Sequence, residues 1–175
     1  MILIIGKSDL SKELIKILDD VVVVGRPEYD FSNQDDCDRL VNDYSPNIII
    51  NTVGVISDNY WETLTVNYTS VVYLTMKFYE KTTSPLHIIN ISSASTYWPS
   101  YPGVPSNRFC YNISKESLST FGKNFNRKIV NETNKKFCLT TIEPGKFNSR
   151  MNQLSGGMDV NTVANHIKNV INNPV

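Results

Sequence analysis

Met1–Val24, MILIIGKSDLSKELIKILDDVVVV, alternates two apolar runs with one amphipathic segment. Ile2 to Ile5 form the first run, which stops at Gly6, and Val21 to Val24 form a second that is wholly β-branched. Between them Leu10, Leu14, Ile17 and Leu18 recur at helical spacing, so the segment reads as strand, turn, helix, strand. Strands without a polar face need cover on both sides, and a parallel sheet obtains it from crossover helices.

The alternation continues along the chain. Asn33 can cap a helix with Cys37, Leu40, Val41 and Tyr44 on one face, and Ile48 to Asn51 give a third strand. Asn59 to Lys81 reads as one helix despite its β-branched residues, Leu86 to Ile91 as a strand, and Phe109 to about Asn131 as another long helix. Phe137 to Ile142 form the next apolar strand, closed by Pro144 and Gly145. Asp159 can then cap a last helix with Val163, Ala164, Ile167, Val170 and Ile171 inward. The pattern predicts a three-layer α/β/α, doubly wound parallel sheet with right-handed crossovers, in a single domain over residues 1–175. Ligands of such sheets bind beyond the carboxyl ends of the strands, where Gly6, Gly25, Asn51, Ser92, Ser93, Pro144 and Gly145 fall.

Composition narrows the function classes. The 17 basic and 17 acidic residues cancel and are scattered, which argues against a nucleic-acid or membrane-surface partner. MILIIG is too short for a signal peptide or a membrane span, so a cytoplasmic location is expected. Cys37, Cys110 and Cys138 are odd in number and lack a C-x-x-C pair, which suggests reduced thiols and no metal site. The Asn-x-Ser/Thr matches at Asn67, Asn90, Asn112 and Asn131 reflect a high asparagine content.

Chemistry concentrates in Asn90–Lys115, NISSASTYWPSYPGVPSNRFCYNISK. A Ser pair ends a strand upstream of Tyr111-x-x-x-Lys115, and residues four apart share a helix face. An ammonium beside a phenol favours the phenolate. Bringing a tyrosine from about 10 into the neutral range needs roughly 3 to 4 kcal/mol, which one cation at about 4 Å can supply. Tyr97, Trp98 and Tyr101 in the intervening loop are candidate substrate-facing aromatics.

Taken together, these landmarks resemble the short-chain dehydrogenase/reductase family, with its NAD(P)-binding Rossmann fold, over about Met1 to Ile171. Ser93 of ISSAS, Tyr111, Lys115 and Asn67 of TVNYTS match the family's catalytic tetrad. Asn51-Thr52-Val53-Gly54 looks like its Asn-Asn-Ala-Gly signature. PGKFNSRM is similar to its Pro-Gly-x-x-x-Thr motif, with Pro144, Gly145 and Phe147 near the nicotinamide and Ser149 in the place of the Thr. Asp30 and Phe31 of YDFSN stand where the family has an acidic residue near the adenine. The first turn departs from the family: of three expected glycines only Gly6 is present, with Lys7 and Ser8 as substitute contacts and Ser11 in the last small position. That turn is closest to the sugar-nucleotide (dTDP-4-dehydrorhamnose reductase-like) branch.

The resemblance implies hydride transfer between a nicotinamide and a small-molecule carbonyl or alcohol substrate, with Tyr111 as proton donor, Ser93 on the carbonyl oxygen, Lys115 on the nicotinamide ribose and Asn67 holding a water. Arg26 after the second strand favours a 2′-phosphate, hence NADP, with NAD as the alternative. A homodimer or homotetramer through the two long helices is implied. The chain stops after its last helix, so a C-terminally shortened relative is expected. Two other readings remain open: a catalytically weak or inactive dinucleotide-binding relative acting as sensor or partner subunit, and a sugar-nucleotide epimerase or dehydratase.

Overall fold

The computed structural model describes residues 1–97, 106–130, 136–152 and 156–173. Five strands form one parallel sheet: β1 (Ile2–Ile5), β2 (Val21–Val24), β3 (Ile48–Asn51), β4 (Leu86–Ile91) and β5 (Phe137–Ile142), in the order β2-β1-β3-β4-β5. Among the described residues six α-helices accompany them: α1 (Asp9–Ile17), α2 (Gln34–Asp43), α3 (Tyr60–Leu64), α4 (Ser70–Lys81), α5 (Ser106–Ile129) and α6 (Val160–Asn172).

Side chains alternate across each strand, so both faces are apolar. Leu3, Ile5, Ile49 and Ile88 pack with Leu40, Leu74 and Phe125 of α2, α4 and α5 on one side. Ile4, Ile50 and Ile89 pack with Leu10, Leu14, Val163 and Ile167 of α1 and α6 on the other. Burying each such side chain is worth roughly 1.5–3 kcal/mol.

The strand order reverses between β1 and β3. The chain runs outward from β1 to β2, then returns to place β3 on the other flank of β1, which opens a crevice at their carboxyl ends. Ile5 pairs with Asn51, and Asn51 with Asn90, so the functional strand ends lie side by side.

The caps expected from the sequence are made by Asn33 on Asp35 and by Asp159 on Asn161. One expectation fails. Asn59–Lys81 is not one regular helix: α3 and α4 are joined by a π-helical turn over Thr65–Thr69 with Asn67 at its centre. The cause is tertiary, because the Asn67 side chain is held by the main chain of Val55, and turns of this kind concentrate at functional sites. The second long helix starts at Ser106, three residues before the Phe109 read from the pattern.

Candidate functional site

The first turn is built around Gly6, whose φ of +109° suits glycine and where a Cβ would lie 2.9 Å from Thr52 Oγ1. Ser8 caps α1 in a reciprocal box with Ser11: the Ser11 amide donates to Ser8 Oγ at 3.1 Å and the Ser8 amide to Ser11 Oγ at 2.8 Å. This leaves the amides of Asp9 and Leu10, at the positive end of the helix, without an intrahelical acceptor. Ser8 Oγ also donates to Thr52 Oγ1, which donates to the Gly6 carbonyl, so the turn is tied to the end of β3. Hydroxyl bonds thus hold a turn that has one glycine.

Two cavities open on this turn and meet at Lys7, Ser8, Thr52, Val53 and Gly54. One, of about 230 Å³, runs toward Gly25, Arg26 and Phe31; the other, of about 300 Å³, toward Tyr111, Lys115, Phe147 and Ser149. An extended two-ended ligand fits such a crevice, with its anionic middle at the amides of α1.

Arg26 ion-pairs with Asp30 at 2.9 Å and Glu62 at 3.6 Å. Asp30 also accepts from the amide and hydroxyl of Ser32, and its Arg26 partner above all holds its carboxyl down at about 2. Lys7 pairs with Glu28. Phe31 is buried in the core and borders the first cavity. Asn51 is buried, accepts from the Val53 amide, and shapes the strand end without lining either cavity.

At the other end, α5 carries Tyr111 and Lys115 against the ends of β3 and β4. Their main-chain oxygens are pinned, that of Tyr111 by Ser114 Oγ at 2.7 Å and that of Lys115 by Ser92 Oγ at 2.7 Å. Asn67 is fully buried; its amide donates to the Val55 carbonyl at 2.8 Å and to Ser114 Oγ at 3.2 Å. Its amide nitrogen thus joins the Val55 main chain to the Ser114 hydroxyl of α5, and its Oδ1 accepts from the Val55 amide at 2.7 Å.

Lys115 is 3% exposed, and its Nζ donates to the carbonyls of Ile91 at 2.9 Å and Val53 at 3.3 Å. Desolvation lowers its pKa to about 8. The ammonium sits 5.9 Å from the centroid of the Tyr111 ring, over its face. The phenol departs from expectation: burial pushes its pKa up, and a hydrogen bond with Ser93 and the charge of Arg108 offset this only in part. In this geometry Tyr111 is held as the protonated acid, and Lys115 gives up its proton at about pH 8.

Ser93 also shares a hydrogen bond with Ser95 Oγ at 2.9 Å. Pro144 accepts from the Ala94 amide at 2.9 Å, while a Cβ on Gly145 would lie 3.3 Å from Met158 Cε; neither lines the cavities. Phe147 bridges to Met158, and Ser149 is buried at the cavity edge. Trp98 and Tyr101 lie outside the described residues.

Sequence reasoning missed Ser92 as the anchor of Lys115, Ser119, which donates to Ser92 at 2.8 Å, and the pair formed by Asp9 and Arg150. The Ser pair at the strand end was visible; the direction of each hydroxyl was not. Among the described residues, no cluster of His, Cys, Asp or Glu could hold a metal ion, and no helix is long and apolar enough to cross a membrane.

The architecture has many solved counterparts. A short-chain dehydrogenase from Burkholderia cenocepacia in complex with NADP superposes with a TM-score of 0.82 at 14% identity, over 97% of this chain and 89% of that one. The fold is that of the short-chain dehydrogenases. A short-chain dehydrogenase/reductase from Vibrio parahaemolyticus gives 0.81 at 16% identity, over 100% and 94% of the two chains. One from Sphingobium yanoikuyae in complex with NADPH gives 0.81 at 15%, over 98% and 84%. No protein-family model and no curated protein matches the sequence.

Proposed function

We propose that this protein is an NADP-dependent oxidoreductase that interconverts a small carbonyl compound and its alcohol. The observation that carries the reading is the convergence of Tyr111, hydrogen-bonded to Ser93, and the buried Lys115 on a cavity that joins the turn before α1. A buried, unneutralised ammonium is costly, and its retention beside a phenol is what a proton-transfer site requires. The crevice at the strand-order reversal, the two amides of α1 without an intrahelical acceptor and the Cβ-excluding Gly6 fit a dinucleotide. Several structural counterparts were solved with NADP or NADPH, which supports the choice of cofactor.

Bound there, NADP would supply or accept the hydride. Lys7 and the Asp9 and Leu10 amides would hold its diphosphate, and Arg26, already paired with Asp30, would turn its remaining donors to the 2′-phosphate. A carbonyl oxygen would sit between Ser93 and Tyr111. Tyr111 would donate its proton to that oxygen, Ser93 would orient it, and Lys115 would restore the proton while bonding the nicotinamide ribose. Asn67, through Val55 and Ser114, would keep α5 at the correct height.

The reading extends to one NADP-binding unit over residues 1–175 that works in the cytoplasm, which its free cysteines support. Tyr60 and Trp61 of α3 and Phe109 and Ile113 of α5 are exposed apolar side chains on helices packed together, and we assign that face to a second copy of the chain. The first turn's likeness to sugar-nucleotide reductases puts a nucleotide-sugar ketone among the substrates to screen. The test is titration with NADPH and NADH followed by nicotinamide fluorescence, then a carbonyl screen. Saturable binding with NADPH the tighter supports the reading; no binding of either at millimolar concentration removes it.

A further inference from the structure

We infer that Arg150 is a ligand of the cofactor diphosphate, standing in for the contacts that a glycine-rich first turn provides. This rests on the dinucleotide reading above. The N-terminus of α1 should attract an anion, yet its first residue is the acid Asp9, which borders the cavity beside Ser8. Uncompensated, a carboxylate there repels a diphosphate. Arg150, reached only after β5, compensates it: its amide donates to Asp9 Oδ2 at 2.9 Å and its Nε to Asp9 Oδ1 at 2.9 Å.

That geometry uses one edge of the guanidinium. The two terminal nitrogens have no protein partner among the described residues, the side chain is 63% exposed, and Arg150 lines the same cavity as Lys7, Ser8 and Leu10. Asp9 thus orients a planar donor whose free edge matches the paired oxygens of a diphosphate. Side chains at the glycine positions of such a turn limit how closely its backbone can approach a diphosphate, a contact that an arginine reaching in from the cavity wall can replace. The Asp9–Arg150 pair is a positioning device, and Arg150 is the binding residue.

The test measures Kd for NADPH by fluorescence titration, and the constant for adenosine 2′-monophosphate displacing it, in wild type, Arg150→Gln, Arg150→Lys and Asp9→Asn/Arg150→Gln. The second probe has the adenosine end without the diphosphate. Arg150→Gln should weaken NADPH by roughly 10- to 100-fold while the monophosphate constant stays within about two-fold, since one charge-assisted pair to the diphosphate is lost. Arg150→Lys should recover part of the loss. The double variant should bind NADPH at least about three-fold more tightly than Arg150→Gln, because the Asp9 carboxylate, left with only Lys12 at 3.7 Å and the main-chain amide of residue 150, is gone. Unchanged NADPH affinity in Arg150→Gln overturns this inference alone, as does an equal loss for both probes, which would report a damaged crevice. Failure of the wild type to bind either probe overturns the dinucleotide reading and this inference with it.

Discussion

Lys115 Nζ donates to the main-chain oxygen of Ile91 at 2.9 Å, at the carboxyl end of β4, and pairs with no carboxylate among the described residues. The fold therefore buries a cation that it does not neutralise. A lysine whose folded pKa falls from 10.5 to about 8 opposes folding by on the order of 3 kcal/mol at neutral pH. Below about pH 8 both folded and unfolded states carry the proton and the cost is complete. Between about pH 8 and 10.5 the folded state gives up its proton first, the unfolded state binds more protons, and stability rises with pH. Lys115→Met should thus raise stability at pH 7 by about 1 kcal/mol or more, after subtracting two lost hydrogen bonds. Urea melts at pH 7 and pH 10 check this: the advantage should shrink at the higher pH, and a destabilised variant at pH 7 refutes it.

If the chain is the proposed reductase, the same cation should set the pH limb of the reaction. Tyr111 stays protonated through pH 8, because burial raises its pKa, so loss of the acid cannot limit turnover there. Lys115 loses its charge through about 8. Turnover with NADPH and a saturating carbonyl should fall above that pH. Tyr111→Phe should lower turnover by roughly 10²- to 10⁴-fold at every pH, with NADPH affinity nearly unchanged. A Tyr111→Phe protein with full turnover ends the proton-donor assignment.

The sheet was legible because its strands are apolar on both faces: Ile4 and Ile5, adjacent in sequence, are both fully buried, in opposite layers. Caps were legible too, since Asn33 and Asp159 act on backbone two residues away. The π-helical turn was not, because it depends on Asn67 gripping Val55, and helical periodicity carries no record of that loop. The direction of the Tyr111 shift escaped for a related reason. Spacing of four residues places Lys115 near the ring, but burial of the hydroxyl and the aim of Nζ at Ile91 and Val53 come from packing. Arg150 and Asp9 are 141 positions apart, and only the sheet topology brings them together.

Arg26 should govern the choice between cofactors. Its pairing with Asp30 fixes the guanidinium at the first cavity, and the exposed half of the side chain is what a 2′-phosphate would meet. Arg26→Ala should weaken NADPH roughly 10-fold or more and leave NADH within a few-fold, the cost of one charge-assisted contact. Equal losses for both cofactors would show that Arg26 serves the loop and not the phosphate.

Trp61 is 77% exposed on α3, and Phe109 and Ile113 are exposed on α5, the helix that packs against α3. If a second copy covers this face, sedimentation velocity should show a dimer or tetramer of the 19.8 kDa chain, and Trp61→Glu should shift it to monomer without lowering the melting temperature of the monomeric fold. A wild-type monomer at micromolar concentration refutes the assignment.

Gly122 fixes the distance between α5 and the sheet, and with it the height of Tyr111 and Lys115. A Cβ on Gly122 would lie 2.2 Å from Thr141 Oγ1, well inside contact, so either the Thr141 side chain on β5 turns about χ1 or α5 shifts. With Thr141 held in its present rotamer by packing, Gly122→Ala lifts α5 at a cost of about 1–3 kcal/mol from overpacking, partly offset by the better helix propensity of alanine. Thr141 Oγ1 is buried and has no hydrogen-bond partner among the described residues, so Thr141→Ala removes the obstacle without breaking a bond. With the hydroxyl gone, the nearest remaining contact is the Thr141 Cβ at 3.3 Å, which a small shift accommodates. Gly122→Ala should therefore lower both the melting temperature and turnover, and Gly122→Ala/Thr141→Ala should recover most of each. Recovery of stability without turnover would show that helix height matters to the site beyond its effect on folding. A Gly122→Ala protein as stable and active as wild type would mean that α5 is not held at this distance in solution.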